Sequence, residues 1–417
     1  MEYRMDPVTY HFERRNAIEA LKKSKYELIP LLQVADFGKI IVSENPENLT
    51  YVGLENIESD TGIYVETSEK ETFGSAIKFK KGQILFPKLR PYLNKVYYAD
   101  FDGLCSTEFH ILDSSLVDNR YLTNFLRSKI VVSQTKYLMS GNTLPRLQTD
   151  DIYKLLIPVP NQEIQQKTIS IFEQAYETKR ANAIKADDIL KSIDNYLLTE
   201  LGIILPQKQG NTLKNRVFLQ NINEISGGRF DAFYFVGKEK IIQGGKFKNQ
   251  KLKVIANITK GQSITKENVI EGDYPVIAGG QSSPYFHNQY NYENNIITVS
   301  ASGAYAGFIW YHDYPIFASD CCVIQSKNKS DISILFLTEI LKLKQKEIYN
   351  LQQGSGQPHV YASDLAELQI PTPTLEVQER IVKEIMVRRN KAQALQIEAK
   401  ELIEKAKAEV EKMILGE

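Results

Sequence analysis

From Ile381 onward the apolar positions advance in steps of four and three: Ile381, Ile385, Arg388, Ala392, Leu395, Ala399, Leu402, Ala406, Glu409 and Met413. Such alternation is the a/d seam of a coiled coil, and the flanks, rich in Glu and Lys, suit a helix with one narrow apolar stripe. No Gly or Pro interrupts the pattern before Gly416. A weaker stripe lies 213 residues earlier, at Thr168, Phe172, Ala175, Lys179, Asn182, Ala186, Ile189, Ile193, Tyr196 and Glu200. Each stripe predicts a helix of about 35 to 40 residues, roughly 55 Å long at 1.5 Å per residue. A helix of that length with so narrow a stripe needs a partner, and the other copy is the obvious one. Asn182 and Lys179 on the seam would then set register rather than add stability. The alternative is two separate amphipathic helices, each lying on its own domain.

Ahead of each stripe the texture changes. Short runs rich in β-branched and aromatic residues, bounded by Gly, Pro and Asn, predict strands at Gln83–Phe86, Lys95–Tyr98, Val254–Ile258, Asn295–Val299 and Phe308–Tyr311. Short helices are expected over Asn119–Met139 and Asp331–Gln352. The fold class is therefore α+β, with two β-rich globular domains and two long helices pairing as an antiparallel coiled coil.

The stripes are one part of a longer duplication. Leu147–Pro160 returns as Val360–Pro373: Asp151 falls on Asp364, Leu155 on Leu368, Ile157 on Ile370, and Pro158 and Pro160 on Pro371 and Pro373. Glu163 and Gln165 then fall on Glu376 and Gln378. At an offset of 212, Ile84–Tyr98 lies over Ile296–Trp310, and Thr107–Leu112 over Ser319–Ile324. Nearer the start, Gly38 is matched to Gly261, and Arg4–Pro7 to Arg229–Ala232. The offset shrinks along the chain, so the first copy carries about a dozen extra residues, mostly between Gly38 and Phe79. A period this long is two related domains, not a solenoid repeat. The expected organisation is a globular domain over 1–160, a helix over 161–204, a second domain over 205–373 and a second helix over 374–417, with an internal pseudo-twofold repeat.

Composition narrows the possibilities further. The chain has 417 residues, 42% hydrophobic and 24% charged, as in an ordinary soluble two-domain protein. Three cysteines cannot make a disulfide framework and show no metal-ligand spacing, which fits a reducing cytosol. The start has no apolar leader-like run and no stretch reaches 18 apolar residues, so a cytoplasmic protein with no membrane contact is expected. Net charge is zero, which counts against a nucleic-acid partner. The charge is unevenly spread, however. Lys78–Lys95 carries five lysines and one arginine with no acid, and Lys238–Glu267 carries eight lysines against two glutamates. Each run is either a solvated face or a DNA-facing one.

Several chemistries have no residues to perform them. No Asn/Asp-Pro-Pro-aromatic run exists to hold a flipped adenine, since Asn45-Pro46 is followed by Glu47. No Gly-Lys-Ser/Thr exists to cradle phosphates, since Gly237-Lys238 is followed by Glu239. Cys321-Cys322 lacks zinc spacing. Gly303 and Gly307 match a helix-dimer spacing, but their polar, strand-like context favours a tight turn.

At this point the chain resembles the specificity subunit of type I restriction-modification systems. The resemblance rests on Gly141-Asn-Thr-Leu-Pro-Arg-Leu147 with Ile157–Pro160 and Glu163–Gln165, and on Gly354-Ser-Gly-Gln-Pro-His-Val360 with Ile370–Pro373 and Glu376–Gln378. Lys81–Lys95 and Ser302–Gly307 add to it. It covers the whole chain and implies a non-catalytic subunit whose two target-recognition domains each read half of a split site in double-stranded DNA. It implies an antiparallel helical spacer, two docked methyltransferase subunits, and restriction-translocase subunits in the full enzyme. No cofactor or metal is expected in this chain, with S-adenosylmethionine, ATP and Mg belonging to the partners. The neutral net charge departs from expectation for a DNA reader.

Candidate DNA contacts follow from the basic runs. Lys88, Arg90 and Lys95 stand where phosphate contact or guanine readout is chemically natural, with Tyr92 and Asn94 beside them. Ser300 and Ser302 replace Lys88 and Arg90 in the second copy. Lys260 and Gln262 follow a strand-like run, and Arg146 and His359 flank the shared Pro145 and Pro358. The alternative at each is a scaffold turn with solvated side chains.

Overall fold

The architecture comes from a computed structural model, which describes residues 11–45, 47–66, 74–141, 143–205, 245–354 and 356–415, with isolated residues at 212, 217 and 219. Two compact units emerge: Met1–Ile184 with Leu395–Glu417, and Lys185–Ala394. The match of Arg4–Pro7 to Arg229–Ala232 lies outside the described residues.

The first unit opens with α1 (Phe12–Lys22), β1 (Glu27–Pro30), α2 (Leu31–Val34), β2 (Asp36–Gly38), β3 (Ile40–Val42), β4 (Thr50–Val52) and β5 (Ala76–Phe79). It continues with β6 (Ile84–Pro87), β7 (Tyr97–Tyr98), β8 (Gly103–Ser106), β9 (Phe109–Asp113), α3 (Asn119–Leu126), α4 (Lys129–Thr135), β10 (Met139–Ser140) and β11 (Arg146–Leu147). Then come α5 (Thr149–Tyr153), β12 (Leu156–Val159) and the long α6 (Gln162–Leu201). Its main sheet is antiparallel in the order β2-β9-β6-β7. Ile84, Leu85 and Phe86 are all buried, because β6 lies inside that sheet with apolar layers on both faces.

The second unit repeats this plan. It runs β13 (Asn249–Lys251), α7 (Leu252–Ile255), β14 (Ala256–Lys260), β15 (Tyr274–Ile277), β16 (Tyr285–His287), β17 (Ile296–Ser300) and β18 (Ile309–His312). There follow β19 (Phe317–Ala318), β20 (Cys321–Ser326), α8 (Ile334–Leu343), α9 (Gln345–Tyr349), α10 (Ala362–Ala366), β21 (Gln369–Pro371) and α11 (Leu375–Leu415). The sheet order β14-β20-β17-β18 is the first unit's order, strand for strand. The Leu31 N–H donates to the Leu155 carbonyl at 2.8 Å, and its equivalent Leu252 donates to Leu368 at 2.8 Å.

Strand register corrects one equivalence. Gly38 lies opposite Ile111, whereas Thr259 lies opposite Val323, the position equivalent to Ile111. Gly38 therefore corresponds to Thr259 rather than Gly261, and Lys39 to Lys260; a lone glycine is a weaker marker than a hydrogen-bonded ladder. Elsewhere the units diverge. Both keep a parallel pair, β4 with β8 and β15 with β19. The first builds β3-β5-β8-β4 and the second β16-β15-β19. Val52 precedes Ile84 by 32 residues and its equivalent Val276 precedes Ile296 by 20, so the extra dozen residues lie there.

Three element boundaries differ from the sequence reading. The helix expected over Asn119–Met139 is two, because Ser128 caps a new start by accepting from the Val131 N–H, and Met139 is already in β10. Asp331–Gln352 likewise holds α8 and α9. Val254–Ile258 is not all strand: α7 holds its first two residues, and the ladder begins at Ala256.

The repeated Pro-x-Pro…Gln element has a mechanical role. Gln165 is buried at the start of α6, where its Oε1 accepts from the Asp118 N–H at 2.9 Å and its Nε2 donates to the Pro160 carbonyl at 2.9 Å. Gln378 does the same in the second unit, accepting from the Ser333 N–H at 2.8 Å and donating to Asp331 and Pro373 at 2.9 Å. Each glutamine locks the first turn of a long helix to the start of an earlier helix of its domain, α3 at Asp118 and α8 at Ser333, satisfying backbone groups that would otherwise be orphaned.

The long helices pack in both units. In the second, Arg380 reaches Glu200 at 2.8 Å and Arg388 reaches the Ser192 hydroxyl at 2.8 Å, so one helix index rises as the other falls and the pair is antiparallel. Ile193, Leu197 and Leu201 share a core with Ile381, Val382 and Ile385. Arg388, a seam position by sequence, is accommodated over the Tyr196 ring at 4.7 Å. In the first unit Ile169, Phe172 and Ala175 pack with Ile403, Ala406, Val410 and Ile414, and the buried Asn182 amide donates to Glu398 at 3.2 Å. Ala186, Ala392 and Ala399 are buried as expected, while Ile189 and Leu395 are half-buried. The seam departs from strict heptads after Ala399: Ile403, Val410 and Ile414 are buried, and the predicted Leu402 and Met413 are half-buried, with Glu409 exposed. A straight helix of 3.6 residues per turn drifts about 20° per heptad, so the buried stripe moves over by one residue.

Candidate nucleic-acid interface

In the first unit the chain leaves β6 at Pro87 and enters a ridge, Lys88–Arg90 and a 3-10 turn over Pro91–Leu93. The Arg90 N–H donates to the Pro145 carbonyl at 2.8 Å and the Leu147 N–H to the Lys88 carbonyl at 2.9 Å, which straps the Gly141–Leu147 segment against the ridge. This strap carries Arg146. Its Nε and Nη2 grip Glu108 at 3.0 and 2.8 Å, and the Glu108 carbonyl accepts from the Lys88 N–H at 2.8 Å. Lys88 and Arg146 are thus gathered around one carboxylate, with Arg90 held to the strap by its backbone. Burial lowers the Lys88 pKa below the ordinary lysine value; Glu108 opposes this, and the cations of Lys39 and Arg146 add to it. Lys39 is exposed and was missed by sequence reasoning. The Arg90 Nε is buried and has no hydrogen-bond partner.

The neighbours of this cluster separate into two kinds. Tyr92 is 40% exposed at the tip of the turn. Asn94 is only 4% exposed and donates its amide to the Arg127 carbonyl at 2.9 Å, so as placed it braces the turn and does not meet solvent. Lys95 is half-buried, with its Nζ on the Leu54 carbonyl at 2.8 Å. Of the six candidates here, Tyr92 and Arg146 are exposed, Lys88, Arg90 and Lys95 are half-buried, and Asn94 is buried.

The equivalent place in the second unit is built differently. Ser300 and Ser302, candidate contacts by sequence, are both buried as placed. Ser300 donates to the Gly280 carbonyl at 3.2 Å, and Ser302 bonds the Asp320 carboxylate, the equivalent of Glu108. The backbone at Gly279 lies so close that a Cβ there would sit 2.4 Å from the Ser302 carbonyl and 3.2 Å from its hydroxyl. Gly303 and Gly307, both at positive φ, close a tight turn between the two strands. Lys260 and Gln262 are exposed. His359 is half-buried, bridged through its backbone to Ser302 and stacked on Tyr361 with ring centres 6.2 Å apart. Tyr305, in the turn between Gly303 and Gly307, is 46% exposed and Tyr361 is 48% exposed; both were missed, because a single exposed tyrosine gives no periodic signal.

Other chemistry is sparse among the described residues. No group of three or more His, Cys, Asp or Glu is placed to hold a metal ion. Burial pushes the thiols of Cys105 and Cys321 up to about 12 and that of Cys322 to about 11. A cleft of about 670 Å³ lined by Lys80, Lys81, Gln83, Tyr98 and Arg120 contains none of the candidates. Among the described residues no helix is long and apolar enough to cross a membrane.

Comparison with known proteins finds the duplication as well. The family model described as the type I restriction modification DNA specificity domain matches residues 24–191 and again residues 245–405. The specificity subunit of the Escherichia coli type I restriction enzyme EcoDI is 28% identical over 169 residues, 40% of this chain and 36% of that protein. The MpnII specificity subunit of Mycoplasma pneumoniae is 30% identical over 142 residues, 32% of this chain and 42% of the relative. The matched region thus spans less than half the length of either relative. A solved structure described as the basis of complex assembly and conformational transition of the type I R-M system aligns over 94% of this chain and 96% of its own, at a TM-score of 0.56 and 18% identity, and so shares the fold.

Proposed function

Because this chain belongs to the type I restriction modification DNA specificity domain family, we propose that it is the non-catalytic subunit that reads DNA sequence and organises the enzyme. Each globular domain takes one half of a split site in double-stranded DNA. The paired helices set the spacing and offer docking surfaces to two methyltransferase subunits, which restriction-translocase subunits join in the full complex. S-adenosylmethionine, ATP and Mg belong to those partners.

The observation that carries this reading is the repetition of one scaffold under two different surfaces. Sheet order, the Leu31/Leu252 bond and the Gln165/Gln378 clamp recur, while Lys88, Arg90 and Arg146 give way to Ser300, Ser302 and His359. A conserved frame presenting unlike side chains at the same turn suits two sites that recognise unlike sequences, since base edges are distinguished by donor, acceptor and methyl pattern.

The test is to express the chain with its methyltransferase and map methylated bases in the host DNA. A two-part motif with a fixed gap is expected. Methylation without sequence preference, or sequence-independent retention of DNA on filters by the complex, leaves only a protein-assembly scaffold.

A further inference from the structure

The two candidate faces differ in charge as much as in shape. In the first unit Lys39, Lys88 and Arg146 lie together with one carboxylate, Glu108, and the half-buried Arg90 is tied by its backbone to the same strap. Register places Lys260 at the position of Lys39 and Asp320 at that of Glu108. At the other equivalent positions among the described residues, Ser300 and Ser302 are buried, Ser302 is spent on Asp320, and His359 stacks on Tyr361. Position for position, Lys39, Lys88, Arg90 and Arg146 with Glu108 are answered by Lys260, Ser300, Ser302 and His359 with Asp320. Where the first face has one exposed tyrosine, Tyr92, the second has two, Tyr305 in its turn and Tyr361 beyond its strap.

We propose that the two units hold DNA by unlike means: the first through a phosphate clamp of Lys39, Lys88, Arg90 and Arg146, the second through neutral contacts centred on Tyr305 and Tyr361. The inference rests on the DNA-reading function proposed above. Cations on phosphates release counterions, so each steepens the fall of affinity with salt by about 0.9 in the slope of log K against log salt. Tyrosines at base edges and sugars displace water and release no counterions, so they contribute affinity that salt leaves alone.

The test uses the complex of this chain with its methyltransferase, and a duplex carrying the motif found by methylation mapping. Affinity is measured across a salt series. The combined substitution Lys39→Gln, Lys88→Gln, Arg90→Gln and Arg146→Gln is expected to flatten the slope by about 3 to 4. Lys39→Gln alone, at an exposed position that does not threaten folding, flattens it by about 0.9. Tyr305→Ala with Tyr361→Ala weakens binding about tenfold at every salt concentration and leaves the slope unchanged. An unchanged slope for Lys39→Gln and for the combined variant, or a flattened slope for the tyrosine pair, overturns the inference. Absence of any methylated motif instead removes the function on which it rests.

Discussion

Arg146 and Glu108 face each other as a two-point pair, with Nε to Oε2 at 3.0 Å and Nη2 to Oε1 at 2.8 Å. The arginine holds the Glu108 carboxyl below its ordinary pKa, and the carboxylate in turn fixes the guanidinium beside the ridge. A bidentate pair sets direction as well as distance, which is the property needed to aim a cation at a base or phosphate. Replacing Glu108 with Gln removes the acid from the cluster and frees Arg146. Binding to DNA lacking the motif should tighten, while the preference for the motif over such DNA falls by about tenfold. Competition binding reads both, and an unchanged ratio would show that Glu108 does not orient Arg146.

In the second unit, Arg389 holds Glu339 through two bonds of 2.6 Å, and the Glu339 side chain is 8% exposed. Removing one partner strands a carboxylate away from water. Arg389→Met should cost about 2 to 3 kcal/mol, discounted from a fully buried pair because the arginine is partly solvated. Adding Glu339→Met should recover most of the loss. Urea midpoints of the two variants check this; a double variant no more stable than the single one would contradict it.

Acid should weaken both units through one histidine each. Burial pushes His110 and His312 down to about 4, with the Lys88 and Lys39 cations adding to the effect on His110. Both folded-state values lie below that of an unfolded histidine, so the unfolded chain binds more protons between them. Stability is full above about pH 6.5 and declines as pH falls toward 4. His312 is completely buried with its Nε2 on the Thr298 hydroxyl at 2.8 Å, so His312→Gln should reduce that decline. Equal pH profiles for the variant and the parent protein would rule His312 out as a contributor.

Removing seven residues from each long helix at matched seam positions would shorten the pair by about 10 Å. If the helices are the ruler, the gap between half-sites should contract by about three base pairs, at about 3.4 Å each, with both half-site sequences unchanged. Methylation at the original spacing would mean that something else sets the distance.

The duplication and the α+β class were legible because they rest on patterns the chain repeats: the Pro158–Gln165 and Pro371–Gln378 elements and the two apolar stripes. Limits appeared where three-dimensional geometry overrides a linear rule. Heptad counting put Leu402, Glu409 and Met413 on the seam, and the drift of a real helix buries Ile403, Val410 and Ile414 instead. Direct substitution put Ser300 and Ser302 where Lys88 and Arg90 stand, yet both serines are buried against the Gly279–Gly280 backbone. A serine is small enough to be enclosed, whereas a lysine or arginine at the same place must carry its charge outward. Lys39 escaped notice because glycine identity set the alignment; the ladder through Ile111 and Val323 makes it the partner of Lys260.

The central claim is that each unit reads its own half-site, and domain exchange tests it most directly. Leu205–Pro373 is replaced by the matching domain of a relative with a different motif, and methylated positions are mapped with the same methyltransferase. The account predicts that one half of the motif changes to the relative's, while the other half stays as it was. A motif altered in both halves would contradict it.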